Sequence, residues 1–460
     1  MSRVAVFGLG YVGSASAAAL LRAGHEVVAI DPEDEVVRRV ESGRAPVEEP
    51  GVGEVLATGK RNGHLEVART PSPVFDAHPD AVFVCVGTPA SVMEPGAGLG
   101  IDETPLEEIE QTLVDLAAEV DRLRVAVRTT VRPGTVDKIA EAVSVAASEA
   151  DRPQPVVAHV PEFLREGHAL KDVRNPISLV VGWSWPSSAA APSEQSLLTA
   201  LLQSMTADDA ETPRPHVTDA QVAETMKLVR NAYNAARISF ANEVGQLLPK
   251  AKAQEVMQWL REKRSKSSTG YLEPGLPFGG YCLPKDTRML CHEAQKRGTP
   301  AALLRSITTS NTSQVERLAA HLDRQLPSGP TAVARPGFKA DSTDTRLSPS
   351  VRIARSVAGG GREVLVCTQS ADGLPQALAP VASPADAVHL GARSVVFGCQ
   401  SPTPEDVRSI EKASESTYEA GPVEVLTVSS GRVEEARLVK GEDGPQVRTT
   451  PRTGRGVGRR

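Results

Sequence analysis

A glycine triplet wedged between an apolar strand and an Ala-rich helix limits what this chain can become. Val4-Ala-Val-Phe7 reads as a strand, Gly8-Leu-Gly10-Tyr-Val-Gly13 follows at once, and Ser14 to Leu21 holds only small or apolar residues. Each glycine answers a different demand. Gly8 permits a tight turn, Gly10 lets backbone approach a pyrophosphate, and Gly13 lets helix and strand pack closely, while the helix N-terminus supplies partial positive charge. Asp31 ends a second apolar run, Glu26 to Ile30, eighteen residues after Gly13. A carboxylate there accepts from the ribose hydroxyls of NAD and repels the extra phosphate of NADP. The triplet alone is weak, and a structural turn is the competing reading. With its strand, helix and terminal acid it reads as an NAD site formed by Gly8, Gly10, Tyr11, Val12, Gly13 and Asp31.

The first half alternates short apolar runs with helical stretches, the pattern of parallel α/β folds. Strands are expected at Val4 to Phe7, Glu26 to Ile30, Ala81 to Val86, Arg124 to Arg128, Pro155 to Val160 and Ile177 to Val181. A Ser/Pro/Ala-rich stretch, Trp183 to Ser193, and a linker-like Thr212-Pro-Arg-Pro215 then break the pattern. From Asp219 to Leu248, Val222, Met226, Val229, Tyr233, Ala236, Phe240, Val244 and Leu247 recur at steps of three and four. That spacing predicts one long buried helix, and Lys227 and Asn231, one turn apart, would present polar groups to a cleft. The alternation resumes with strands expected at Thr331 to Ala334, Glu363 to Val366, Ser394 to Phe397 and Glu424 to Val428.

The expected fold class is therefore α/β, in three parts and a tail. An N-terminal Rossmann domain covers 1–210, a central helical connector with the long helix 211–315, and a smaller C-terminal Rossmann-like domain 316–440. Residues 441–460, polar and rich in Gly and Arg, are expected to be disordered.

Composition excludes several other classes. A net charge of -6 and 3% aromatic residues argue against nucleic-acid binding, although Arg448 to Arg460 holds five arginines and no acid. No apolar run approaches the roughly 20 residues of a membrane span, and Met1-Ser2-Arg3 leads straight into a strand without a signal-peptide hydrophobic region. A cytoplasmic, membrane-free protein is the expectation. The five cysteines, Cys85, Cys282, Cys291, Cys367 and Cys399, are scattered, with no CxxC pair of the kind zinc sites use. No disulfide framework and no metal site are expected.

Chemistry concentrates a second time in Gly279-Gly-Tyr-Cys282-Leu-Pro-Lys285-Asp286. The glycines allow close backbone approach, Lys285 would favour a thiolate, and Asp286 would orient a water. Residue type alone leaves Cys282 open between a nucleophile and a small buried hydrophobe. Taken singly, Glu162 also reads as a helix-start carboxylate, Lys227 as a snorkelling surface lysine, and Lys339 and Arg346 as members of surface ion pairs.

Many separate stretches decide between these readings together. They are the glycine turn, Glu49-Pro-Gly51, Val86-Gly-Thr-Pro89, Thr129-Thr-Val131 with Gly134-Thr135, and Pro161-Glu-Phe-Leu-Arg-Glu-Gly167. Lys227 with Asn231, Phe240-Ala-Asn-Glu243, Tyr271-Leu-Glu-Pro-Gly275, Phe278 with the Cys282 loop, and Phe338-Lys339, Asp344, Arg346, Ser348 and Pro349 continue the series. Spanning about three quarters of the chain in order, they resemble the UDP-glucose/GDP-mannose 6-dehydrogenase family. The resemblance implies oxidation of the primary alcohol of a nucleotide sugar to a carboxylate with two NAD+. It makes Cys282 the nucleophile that forms a thiohemiacetal and then a thioester. Asp286, Glu162 and Thr130 would activate or position the hydrolytic water, and Lys227 and Asn231 would stabilise oxyanions. It adds Gly87, Thr88, Pro89, Thr130, Lys285 and Arg346 to the cofactor set. Phe163, Leu164, Arg165, Glu166, Lys227, Asn231, Tyr271, Phe278, Gly279 and Lys339 form the substrate set. A homodimer through the central domain is also implied.

The chain departs from the family pattern in places. Tyr281 replaces the small residue that usually precedes the cysteine, so that either the sugar pocket is reshaped or the loop displaced. Val160 and Val36 stand where Asn and a basic residue are usual, and Arg335-Pro336, Cys367-Thr-Gln369 and Ser429-Ser-Gly-Arg432 replace elements of the C-terminal domain. Leu283, Phe240-Ala-Asn-Glu243, Phe338-Lys-Ala340, the Arg305 to Asn311 region and the absence of an arginine from Pro176-Ile-Ser-Leu-Val-Val181 lean toward a GDP-mannose-like substrate. The alternatives are UDP-glucose, a UDP-N-acetylhexosamine or a modified nucleotide, and a non-catalytic NAD- and nucleotide-binding homologue. A one-step hydroxyacid dehydrogenase leaves the cysteine loop unexplained.

Overall fold

A computed structural model describes residues 1–88, 102–184, 192–206, 214–262, 271–338, 344–368, 374–398, 401–416, 423–429, 432–441 and 444–451. It divides into two compact units, Met1–Val229 and Arg230–Arg460. Pro89, Lys339 and Cys399 lie outside the described residues.

In the first unit, short apolar runs become strands, the central ones buried on both faces as a parallel sheet between helix layers requires. They are β1 (Arg3–Phe7), β2 (Glu26–Ile30), β3 (Leu65–Ala68), β4 (Ala81–Val84), β5 (Arg124–Val127), β6 (Val156–His159), β7 (Val180–Trp183) and β8 (His216–Asp219). Their order is β3-β2-β1-β4-β5-β6-β7-β8, parallel except where β7 runs against β6. Successive residues serve opposite layers. Val4 and Val6 meet the helices Tyr11–Arg22, Val52–Arg61, Ala169–Arg174 and Pro192–Ser204, whereas Ala5 and Phe7 meet Thr104–Glu119 and Thr135–Glu149. The strand order reverses between β1 and β4, which opens a crevice at their C-terminal ends, the usual ligand position in such sheets.

The second unit repeats the plan on a smaller scale. Its strands are β9 (Thr331–Ala334), β10 (Val364–Cys367), β11 (Ala379–Val381), β12 (Ser394–Phe397), β13 (Glu424–Ser429), β14 (Arg432–Gly441) and β15 (Gly444–Pro451), in the order β11-β10-β9-β12-β13-β14-β15. Helices Ala302–Gln325 and Pro349–Gly359 cover one face, Pro384–His389 and Pro404–Ser416 the other. Residues 444–451, expected to be disordered, pair antiparallel with β14, Gly441 facing Gly444. The stretch Gln446-Val-Arg-Thr-Thr450 carries β-branched residues, a strand signal that the polar composition hid.

The helix Ala220–Leu247 forms nearly as expected, but its apolar stripe is turned outward. Val222, Val229, Tyr233, Phe240 and Leu247 are exposed, while Ala223, Glu224, Lys227, Leu228, Ala232, Ala235, Ala241 and Asn242 are buried. The reading as a helix buried along that stripe is therefore corrected. Small residues let neighbouring elements approach closely, so the alanine face packs inward within the chain and the bulky one is left over. No helix among the described residues is long and apolar enough to cross a membrane.

Phe83 in β4 is fully buried beside the crevice. Phe83→Ala is expected to cost about 3–5 kcal/mol, read as a lowered denaturant midpoint. A loss under about 1 kcal/mol would contradict a close-packed layer at this strand.

Candidate functional site

The three glycines of the first loop occupy three different environments. Gly8 has φ +88°, and a Cβ there would lie 2.8 Å from the Cys85 carbonyl oxygen. A Cβ on Gly13 would fall 1.7 Å from the Gly8 oxygen, so helix and strand touch. Gly10 faces open space, with nothing within 4 Å of the Cβ position, and caps the helix Tyr11–Arg22 without any side-chain hydrogen bond. That is a cradle for a pyrophosphate at a helix N-terminus. Asp31, at the tip of β2, accepts from Leu9 N–H at 2.7 Å and Glu33 N–H at 3.1 Å. The carboxylate thus shapes the glycine loop and retains lone pairs for ribose hydroxyls.

Around the same crevice, Gly87 is open and Thr88 is buried, its hydroxyl donating to the Thr130 carbonyl at 3.2 Å. The Thr129 hydroxyl reaches the carbonyls of Val84 and Val86. This stretch ends at Gly134, φ +91°, which opens the helix Thr135–Glu149. Glu224 caps it from the long helix, accepting from Gly134 N–H at 2.5 Å and Val136 N–H at 2.8 Å.

One turn further along, Lys227 is the centre of a buried cluster. Its ammonium donates to a Glu162 carboxylate oxygen at 2.6 Å and to the Glu162 carbonyl at 2.8 Å, and lies 5.8 Å from the Phe163 ring centroid. The other carboxylate oxygen accepts from Leu164 N–H at 2.6 Å. Burial alone would raise the Glu162 pKa, but the Lys227 charge and hydrogen bond and the Leu164 N–H outweigh it, and the carboxyl sits below its ordinary range. Burial first, then the Lys227 charge, pushes His159 down to about 3, so it stays neutral beside the cluster. Arg165, expected at the substrate, holds Asp172 through two contacts of 2.7 and 3.0 Å. Glu49 accepts from Gly167 N–H and Ala169 N–H at 2.6 and 2.9 Å, so the Glu49-Pro-Gly51 stretch anchors the loop that carries Glu166.

In the second unit, Cys282 is exposed and is the first residue of the helix Cys282–Lys296. A thiol there feels the positive end of the helix. Asp286, one turn along, is buried, accepting from the Asn231 amide at 2.5 Å and facing the buried Lys285 ammonium at 3.0 Å. Two asparagines hold the approach to this loop. Asn311 accepts from Phe278 N–H at 2.8 Å and donates to the Phe278 carbonyl at 2.9 Å. Asn242 accepts from Gly275 N–H at 2.7 Å and donates to the Leu276 carbonyl at 3.1 Å. Tyr271 is exposed with φ +66°.

The structure thus gathers Glu162 with Lys227 and Phe163, and Cys282 with Lys285, Asp286 and Asn231. Glu224 and Asn311 escaped sequence reading, as did the contact Asn242 makes. The available signal was a polar residue facing inward on an otherwise small or apolar helix surface.

A doubly wound sheet with an NAD-type glycine loop and a terminal acid defines a nicotinamide-dinucleotide-dependent dehydrogenase. Residues 2–198 match the NAD binding domain of the UDP-glucose/GDP-mannose dehydrogenase family, and residues 221–313 match its central domain. GDP-mannose 6-dehydrogenase of Pseudomonas putida is 34% identical over 375 residues, covering 79% of this chain and 80% of that protein. UDP-glucose 6-dehydrogenase of Rhizobium meliloti is 27% identical, with 79% and 80% covered. A UDP-glucose dehydrogenase structure from Pyrobaculum islandicum superposes with TM-score 0.74 and 30% identity, over 86% of this chain and 90% of that one. The chain belongs to the UDP-glucose/GDP-mannose dehydrogenase family and is an NAD-dependent nucleotide-sugar dehydrogenase.

Glu224 supplies a test of the buried electrostatics. Burial raises its pKa to about 7, against the pull of the backbone N–H groups of Val136, Gly134 and Thr135. Because the folded value lies above the unfolded one, the contribution to stability is largest at low pH and falls as pH rises toward 7. The stability of Glu224→Gln relative to the parent should therefore increase over that interval in denaturant unfolding. A difference that does not change with pH would rule out the raised carboxyl.

Proposed function

We propose that this chain oxidises the primary alcohol of a GDP-mannose-like nucleotide sugar to a carboxylate through a covalent intermediate on Cys282. The observation that carries this reading is the exposed thiol at a helix N-terminus, with Asp286 buried one turn away and engaged by Asn231. The GDP-mannose preference draws on 34% identity to a GDP-mannose enzyme against 27% to a UDP-glucose enzyme. UDP-glucose and UDP-N-acetylhexosamines are the competing substrates.

Gly8, Gly10, Tyr11, Val12, Gly13, Asp31, Gly87, Thr88, Thr130, Lys285 and Arg346 would hold NAD+, and Pro89 and Lys339 extend the cofactor and substrate sets beyond the described residues. When bound, NAD+ accepts a hydride in each of the two oxidations. The Cys282 thiolate adds to the aldehyde carbon formed first, giving a thiohemiacetal. Loss of a second hydride leaves a thioester, and water then cleaves it, supplying the second carboxylate oxygen and returning the thiol. Lys227 and Asn231 are the donors for oxyanions. Glu162, kept ionised and weakly basic by Lys227, is suited to orienting the water with Thr130, which leaves proton removal to Asp286. Phe163, Leu164, Arg165, Glu166, Tyr271, Phe278 and Gly279 complete the substrate set.

The wild-type chain should release two NADH per carboxylate across a panel of GDP-mannose, UDP-glucose and UDP-N-acetylhexosamines. Cys282→Ala should lose carboxylate formation by roughly a thousandfold or more. One NADH per turnover with a ketone product would refute the reading. NAD binding without NADH from any member of the panel would point to a non-catalytic homologue.

We also infer a homodimer through the long helix. Tyr233, Phe240 and Leu247, at steps of seven, continue a stripe begun by Val222 and Val229, and all are exposed. A stripe at that period suits a self-complementary helix pair. Sedimentation should give a dimer for the wild type and a folded monomer for Tyr233→Glu/Phe240→Glu. A monomeric wild type at every concentration would refute it.

A further inference from the structure

Tyr281 stands directly before Cys282, and its ring has two cations for neighbours. The ring centroid lies 5.6 Å from the Lys285 ammonium nitrogen and 5.3 Å from the Arg346 guanidinium carbon. The two cations come from different places in the chain. Lys285 is one turn along the helix that begins at Cys282, whereas Arg346 belongs to the segment leading into the helix Pro349–Gly359. Arg346 is itself aligned by Asp344, whose carboxylate accepts from it at 2.7 and 3.0 Å.

The residues before Tyr281 press on the same segment. A Cβ on Gly279 would stand 2.4 Å from the Leu347 carbonyl oxygen and 2.5 Å from Pro349 Cδ. One on Gly280, φ +72°, would stand 2.8 Å from the Phe338 ring. Three successive loop residues therefore meet Phe338 and the 346–349 segment, two by backbone and the third through an aromatic ring. A backbone contact needs only the absence of a side chain. The ring is different, because its negative face attracts a cation and so selects the groups beside it.

We propose that Tyr281 is a positioning residue whose ring holds Arg346 and Lys285 at the N-terminal end of the Cys282 helix. By doing so it docks the nucleophile loop on the 344–349 segment and keeps positive charge, which favours a thiolate, close to Cys282. This deepens the reading of Cys282 as the nucleophile and rests on it. A serine or alanine at this position offers neither bulk nor a π face to Arg346 and Lys285.

The test measures the rate of Cys282 alkylation by iodoacetamide near neutral pH, on the full chain without cofactor or sugar, with the label located by mass spectrometry. Burial pushes the Cys85 and Cys367 thiols up to about 11 and about 12, so these two contribute little background. Tyr281→Phe keeps the π face and should react within about twofold of the parent. Tyr281→Leu keeps bulk without the π face and, like Tyr281→Ser, should slow alkylation roughly three- to tenfold. Arg346→Gln should slow it similarly, and the Tyr281→Ser/Arg346→Gln pair should be no slower than the slower single variant. Should the serine variant fail to fold, the leucine variant carries the same comparison. A leucine variant that reacts like the parent, or effects of the two positions that multiply, would overturn the proposal. Coupling of the two positions in a chain that releases no NADH from any nucleotide sugar would support the positioning role and sink the proposed reaction.

Discussion

Lys227 lies on a helix face otherwise built largely of alanine and leucine, and its ammonium is tolerated there because the Glu162 carboxylate stands 2.6 Å away. A buried cation without a partner costs several kcal/mol, and truncating one member of such a pair typically costs about 3–5 kcal/mol. The pair therefore makes the 161–166 segment and the long helix depend on each other, since removing either member leaves the other charge buried and unpaired. The remaining Glu162 oxygen accepts from Leu164 N–H, so the carboxylate also fixes the turn in which it sits. Segment, helix and charge state are set together: the depressed Glu162 pKa follows from the same contacts that position its oxygens.

Glu224 and Glu49 extend this logic outward. Each places both carboxylate oxygens on backbone N–H groups at the start of a helix, at Gly134 and Val136 in one case and at Gly167 and Ala169 in the other. The two loops on which Thr130 and Glu166 stand are thus held by carboxylates from distant parts of the chain. Asn242 and Asn311 do the equivalent work with neutral amides in the second unit, each matching one donor and one acceptor to a backbone segment. Such side chains satisfy buried peptide groups that no strand or helix reaches.

The central strands were legible in sequence because burial on both faces writes a continuous apolar run, as in Thr331–Ala334 and Ser394–Phe397, found where expected. Edge strands carry no such run. His216–Asp219 is mostly exposed, and Ala379–Val381 has three residues including a proline, so neither carries an apolar run. The long helix shows a different limit: periodicity located it correctly, yet a recurring apolar face does not say whether its partner lies in the same chain. Its bulky stripe faces solvent and its alanines face inward. At the candidate site, the family resemblance is what pointed to Cys282, Glu162 and Lys227, since spacing alone left them open, and the amide clamps depend on pairings across dozens of residues, such as Phe278 with Asn311. No local pattern records those.

Net charge and site chemistry can now be reconciled. A chain of formal charge -6 must bind anionic dinucleotides and nucleotide sugars without a net positive charge to attract them. The two buried lysines near the proposed chemistry are instead paired: Lys227 with Glu162, and Lys285 with Asp286. Each pair is close to neutral, so it exerts little long-range pull on a phosphate, and surface charge would be screened beyond about 8–10 Å in any case. The available attraction is then short-ranged, from backbone N–H groups at the uncapped helix start after Gly10 and from an aligned side chain such as Arg346. Interactions of that kind demand shape before charge. That is why the glycines, with Gly8 and Gly13 in contact and Gly10 left open, constrain this protein more tightly than its count of lysines and arginines.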